Sequence, residues 1–315
     1  MQKTNGSKVY LPPLADPIFG AIFADVEVAG LAMESLISSV LESDNEKPLG
    51  KIISITPQRV HDSPHNRGVR VDVETITKSN ESAITEVQLS IDKNIMIRNL
   101  LTSSNKFVGS ADKGDTVAQM AKKLPRVIHI NFLGYVIRAG SRKLVEPYKI
   151  MYTNMPAEVA IPHFSGYNIQ LPNVYQMEPD FEDSLYAWCY IMYTAHLEEK
   201  SAREVAALVP ELKEYLNQDP GLAQFCERHK LVSSDPATRE KYMRWVLDVM
   251  KYQGELEGAE ETGFIKGEKA GLKKGIEKGI ERVALKMLKK GRSLRDVSAD
   301  TGLSVARIKK LKAGK

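Results

Sequence analysis

Cysteine is nearly absent from this 315-residue chain. Cys189 and Cys226 stand alone in helical-looking segments, which argues against a disulfide framework and against a zinc knuckle and leaves both as packing residues. No run of 18 apolar residues occurs, and the start "MQKTNGSKVYLPPLADPIF" lacks the apolar core of a signal peptide, so a soluble cytoplasmic protein is expected. GxGxxG, the P-loop GxxxxGK pattern and GxSxG are all missing, so nucleotide-dependent and serine-hydrolase chemistries have no support. Net charge is small too, +4. What is present is 43 % hydrophobic residues, ample for a buried core, and one local concentration of charge. From Arg282 to Lys315 eleven Lys and Arg face two acids, Asp296 and Asp300, a plausible phosphate-contacting footprint.

Along the chain the texture changes several times. "DPIFGAIFADVEVAGLAMESLISSVLESDN" has helical spacing and predicts two helices joined near Asp25. From Ile52 to Gln88 short β-branched runs alternate with polar turns, the mark of a small sheet. Residues 92 to 123 return to helix around "SADKGDT", and "RVIHINFLGYVI" at 126 to 137 suits a strand buried on both faces. Further strands broken by prolines follow, and from Asp180 to Lys251 the chain reads as helix throughout. Glycines at 263, 267, 271, 275 and 279 then make a marginal helix, since each costs about 1 kcal/mol against alanine. A stripe with that period winds around the helix, which favours a semi-flexible spacer over a fixed seam.

The last segment has its own logic. Ser293 and Ser304 sit at N-cap positions, Gly291 and Gly302 where helices end, and Val297 and Ile308 as apolar anchors. Two helices joined by "DTGLS" make a helix-turn-helix pattern whose second helix displays Arg307, Lys309, Lys310 and Lys312. A DNA-contacting helix and a self-packing or partner-binding hairpin are both open at this point.

The most informative stretch is "RVDVETITKSNESAITEVQLS", residues 70 to 90. Read as antiparallel strands about Ser79, it puts Val69, Val71 and Val73 opposite Leu89, Val87 and Thr85 on one apolar face. The other face then carries Arg70, Asp72 and Glu74 with Ile84, Glu86 and Gln88, Asp72 opposite Glu86 and Arg70 opposite Gln88. Carboxyl groups on such neighbours start about 4.5–5.5 Å apart at Cβ and need a shared proton or a bound cation. Mg2+ accepts one or two carboxylates and completes its shell with water and phosphate oxygens. The competing reading is a solvent-exposed hairpin with an ordinary polar face.

The order of these pieces resembles the recombination-promoting nuclease and transposase family, a branch of the PD-(D/E)xK nuclease superfamily. "DPIFGAIF" supplies Asp16 with spaced phenylalanines, "RVDVE" the apolar-Asp-apolar strand, "TEVQ" the Glu-x-Gln strand, "MIRNLL" the arginine-bearing helix and "VIHINFLGY" the closing strand. The resemblance covers roughly residues 8 to 180. It implies an α/β fold with a restriction-endonuclease-like core, a mixed central sheet flanked by helices, followed by an α-helical C-terminal region. The division it suggests is a nuclease domain at 8–180, a helical region at 181–253, a Gly-repeat spacer at 254–281 and a basic tail at 282–315. It implies Asp72 and Glu86 as metal ligands, Gln88 in the place of the superfamily lysine, Asp16 as an auxiliary acid and Arg98 as a DNA contact. The implied activity is Mg2+-dependent DNA endonuclease cleavage that promotes recombination, with Mn2+ as an alternative ion. DNA is the expected partner and a homo-oligomer is open. The alternative function is a DNA-binding or scaffolding protein with a weak or decayed core.

Other candidates carry less. His61 and His65 have a metal-like interval broken by Pro64, His129 reads as a core histidine, and Tyr186, Trp188, Tyr190 and Tyr193 read as helix packing.

Overall fold

The computed structural model describes residues 9–58, 60–63 and 66–313. They form two compact units, Met1–Arg244 and Trp245–Lys315. In chain order the elements are α1 (Asp16–Ile22), α2 (Val26–Glu42), β1 (Ile52–Pro57), β2 (Val60–Ser63), β3 (Asn66–Arg70), β4 (Val73–Thr77), β5 (Ser82–Gln88), α3 (Ile95–Gly109) and α4 (Val117–Lys123). There follow β6 (Val127–Leu133), β7 (Val145–Lys149), β8 (Met151–Tyr152), β9 (Met155–Val159), β10 (Phe164–Gln170), a 3-10 turn (Leu171–Tyr175), α5 (Ser184–Glu198) and α6 (Ala202–Ala207). The chain closes with α7 (Pro210–Gln218), α8 (Pro220–Ser234), α9 (Pro236–Lys289), α10 (Leu294–Thr301) and α11 (Val305–Lys312).

The expected local signals act where the sequence puts them. Asp25 accepts from the N–H groups of Glu27 and Val28, so it ends the α1–α2 link and starts α2. Thr116 and Gln119 form a capping box that starts α4 after the 110–116 loop. A six-stranded sheet in the order β1-β4-β5-β6-β10-β7 is the centre of the first unit. β5, β6 and β10 run parallel to their neighbours in that set, while β1–β4, β4–β5 and β10–β7 pair antiparallel. All seven residues of β6 are buried, as its continuous apolar run requires. The segment from β5 to β6 holds α3 and α4, the crossover that parallel neighbours need.

Register gives the sheet two different faces. One carries Val73, Val87, Ile130, Phe132, Tyr167 and Ile169, all buried and nearly all apolar. The other carries Glu74, Glu86, His129, Asn131 and Asn168, also buried, beneath α3. Tyr148 of β7 reaches this layer by lying across Gly166, where any Cβ would collide with its ring.

The hairpin follows the expected pairing only in part. Val73↔Thr85 and the pairs after it hold the register read from the sequence. Upstream of Asp72 the expectation fails: Val69 pairs with His61 and Arg70 with Val60 in a separate two-stranded sheet, so neither meets Leu89 or Gln88. Residues 66–70 pair with Val60–Ser63 instead, and the chain bends at Asp72 between the two sheets. Val71 accordingly packs with Ile84 and Val127 under Phe107 instead of facing Val87. The side chain of His61, and His65, lie outside the described residues.

The helices after the sheet return to the first two. Trp188 Nε1 donates to Ser35 Oγ, which donates to Asp219; Ala32 N–H donates to Gln224, and Arg228 to the carbonyls of Ala21 and Ile22. Tyr186 and Trp188 are buried, as are both cysteines, so these residues do pack the interior. Among the described residues no helix is long and apolar enough to cross a membrane.

In the second unit Ser293 and Ser304 cap α10 and α11, and Gly302 ends α10 with a φ of 71° that favours glycine. Ala284, Val297 and Ile308 form its small core. Lys309, Lys310 and Lys312 are exposed, whereas Arg307 is engaged in an ion pair with Glu281 at 2.6 Å. Added Cβ atoms at the repeat glycines of α9 would meet open space.

Candidate active site

Four elements bring the sequence-predicted residues together. Asp16 is the first residue of α1, Asp72 sits at the bend before β4, Glu86 and Gln88 end β5, and Arg98 stands on the first turns of α3. Beyond the last β4–β5 pair, Asp72 Oδ2 accepts from the Val87 N–H at 2.8 Å. The side chain thus takes over a ladder hydrogen bond and is pinned beside Glu86.

Electrostatics tie the acids into one cluster. Burial pushes the Asp72 carboxyl up to about 7, and the neighbouring Asp16 and Glu86 carboxylates push the same way, against the Val87 N–H and Arg98. Glu86 behaves oppositely: burial raises it, but His129 and Arg98 outweigh that and hold its carboxyl below the ordinary carboxylate range. Glu86 is 3 % exposed, which excludes the exposed-hairpin reading for this position.

Arg98 organises the rest. Its Nη2 donates to Glu86 Oε2 at 2.5 Å, and its Nη1 donates to Gln88 Oε1 at 3.1 Å and Asp92 Oδ2 at 3.4 Å. Gln88 in turn donates through Nε2 to the Ser90 carbonyl at 3.0 Å. One guanidinium therefore bridges Glu86 and Gln88, which a lysine ammonium could not do with the same fork.

His129 is a core histidine as read from the sequence, but the partners of several residues in this layer escape a sequence reading. Glu74, fully buried, pairs with Lys106 of α3 and accepts from Ser82 Oγ at 3.3 Å. His129 Nε2 lies 3.5 Å from Glu86 Oε1, and Asn131, beside Glu86 in register, donates to Asn168 at 3.0 Å. Asn99 donates to the Tyr148 hydroxyl at 2.8 Å, and burial pushes that phenol up to about 12. A signal existed in "VIHINFL": His129 and Asn131 alternate within an otherwise apolar strand and so share the face of Glu86.

The donor set suits a hard divalent cation. Among the described residues no three His, Cys, Asp or Glu side chains form a ready cage. Mg2+ does not require one, because one or two carboxylates with water and phosphate oxygens complete its shell. Burial and the acidic neighbours together disfavour the ionised form of the Asp72 carboxyl, a condition that a cation beside it relieves. The tail lysines belong to the second unit.

No curated protein and no solved structure matches the chain significantly. Residues 13–253 match the family of PD-(D/E)XK nuclease family transposases, a span that includes Asp16, Asp72, Glu86, Gln88 and Arg98. That match covers well over half of the sequence, and this protein belongs to the PD-(D/E)XK nuclease family transposases.

Proposed function

We propose that the chain is a Mg2+-dependent DNA endonuclease that hydrolyses phosphodiester bonds and promotes recombination. The observation that carries this reading is the placement of Asp72, held on the Val87 N–H, next to the Glu86 and Gln88 side chains that Arg98 bridges. Asp72 and Glu86 are the residues that would hold the ion, with Mn2+ as a substitute. A bound Mg2+ supplies Lewis acidity and a water of lowered pKa. Asp16 adds negative charge that strengthens cation binding. Gln88 carries no charge and cannot serve as a general base, so its role is to orient a water or a phosphate oxygen through its amide. Arg98 fixes the Glu86 and Gln88 side chains and presents a half-exposed cation to the DNA backbone.

In this reading the nuclease domain at 8–180 does the cutting, and Lys309, Lys310 and Lys312 of the 282–315 tail contact phosphates. The test is nicking of supercoiled plasmid with and without Mg2+. Wild type nicks only with the ion, and Asp72→Asn and Glu86→Gln lose the activity while keeping their circular dichroism. Nicking retained by both variants overturns the assignment.

One observation favours a second reading, a DNA-binding or scaffolding protein with a weak core. The Gln88 amide is engaged by Arg98 and the Ser90 carbonyl, and it carries no charge where the superfamily pattern has a lysine. Calorimetry with Mg2+ or Mn2+ that shows no heat, while DNA still binds, selects it.

A further inference from the structure

His129 belongs to the layer between β6 and α3. It stands beside Ile84 in register, two residues before the Glu86↔Asn131 pair and on the same face. Its two ring nitrogens each meet one polar group: Nε2 is 3.5 Å from Glu86 Oε1, and Nδ1 is 3.5 Å from the Ser103 hydroxyl on α3. His129 and Ser103 are fully buried and Glu86 nearly so. Neither Glu86 Oε1 nor His129 Nε2 makes a hydrogen bond, and the 3.5 Å approach is the contact that brings them together. Buried polar atoms in native proteins are answered almost without exception, so the two atoms belong to each other.

The two sides of the Glu86 carboxylate are therefore unlike. Oε2 faces Arg98, whose side chain is 37 % exposed and shared with Gln88 and Asp92. Oε1 faces the sealed interior. A carboxylate offers about four lone-pair sites, so one hydrogen bond from each side still leaves lone pairs for a cation.

We propose that His129 is a positioning residue for Glu86: with its proton on Nε2 and its Nδ1 accepting from Ser103, it holds the carboxylate from the buried side in the orientation that binds the metal ion. The inference rests on the nuclease reading above. It asks no change of charge on the ring. Without the histidine, Glu86 keeps Arg98 and can rotate about that single anchor, which weakens ion binding without removing a ligand.

Two variants separate the ring nitrogens. In His129→Asn the amide takes the place of Nδ1 and keeps the Ser103 side, but nothing reaches Glu86; in His129→Gln an amide N–H stands where Nε2 was. Full-length variants are compared by thermal melting, by calorimetry with Mn2+ and by the Mg2+ concentration for half-maximal plasmid nicking. His129→Asn is expected to weaken Mn2+ binding and raise the Mg2+ requirement by about tenfold, and His129→Gln to stay within about threefold of wild type. Ser103→Ala, which only loosens the ring, gives a smaller shift in the same direction. Wild-type ion binding in His129→Asn, or equal impairment of the Asn and Gln variants at equal melting temperature, overturns the proposal. Wild type and Glu86→Gln run alongside distinguish the failures: if wild type does not nick with Mg2+, the nuclease reading falls; if Glu86→Gln still nicks, the assignment of Glu86 as a metal ligand falls; and if Glu86→Gln is inactive while His129→Asn binds ions normally, only the positioning role falls.

Discussion

Replacing Asp72 with asparagine should make the metal-free protein more stable at alkaline pH, and the structure sets the size. Burial with Asp16 and Glu86 nearby raises the Asp72 carboxyl from 3.8 to about 7. The folded chain therefore holds a proton that the unfolded chain has released, and stability falls as pH rises from about 4 through about 7, then levels off. The full displacement corresponds to about 4 kcal/mol at about 1.36 kcal/mol per pH unit. Side-chain relaxation and partial solvent access reduce that to about 2 kcal/mol, or about 4 °C in melting temperature for a chain of this size. Asparagine removes the penalty and keeps an oxygen to accept from Val87 N–H. Thermal melting in EDTA at pH 8 and pH 5 is the assay. Asp72→Asn melts above wild type at pH 8, the gap narrows at pH 5, and added Mg2+ lifts wild type more than the variant. An Asp72→Asn protein no more stable than wild type at pH 8, or a gap independent of pH, refutes the electrostatic account.

Three other outcomes follow from the same geometry. Arg98→Lys should fold normally yet lose about 10- to 100-fold in nicking rate, because one ammonium cannot span Glu86, Gln88 and Asp92; a rate within twofold of wild type contradicts this. Lys106→Met deprives the fully buried Glu74 of its lysine and should cost about 3–5 kcal/mol in urea denaturation, most of it recovered in the Lys106→Met, Glu74→Leu double variant. Changing Lys309, Lys310 and Lys312 together to glutamine should flatten the dependence of DNA affinity on salt by about 2 to 3 in logarithmic slope. Arg307→Ala, by contrast, removes the Glu281 contact and should first show as a loosened α11.

The parts of the fold that local rules decide were legible. Asp25, Ser293, Ser304 and Gly302 mark helix ends because their side chains or backbones satisfy a nearby N–H or a positive φ, and no tertiary contact competes. The β4–β5 register was legible for the same reason, since a short polar turn and period-2 alternation fix it from Val73 to Ile76. At Asp72 that logic stops. Whether Arg70 extends β4 or joins β2 depends on competition between two hairpins, and a residue at the junction obeys neither alternation. The acids of the site were legible as a pair, but their environment was not. Burial of Glu74 and Glu86 comes from α3 crossing the sheet, and the partners Lys106, Ser103 and His129 are far from them in sequence. His129 illustrates the limit most plainly. Alternation shows which face it shares with Asn131, but only the parallel β5–β6 pairing shows that Glu86 is its neighbour.

Whether Asp72 and Glu86 hold one metal ion is decided by anomalous diffraction from crystals soaked in Mn2+. A single peak is expected in contact with a carboxylate oxygen of both residues, at about 2.0–2.1 Å as for Mg2+. A peak that touches neither carboxylate, or none at an ion concentration that supports nicking, would contradict that placement.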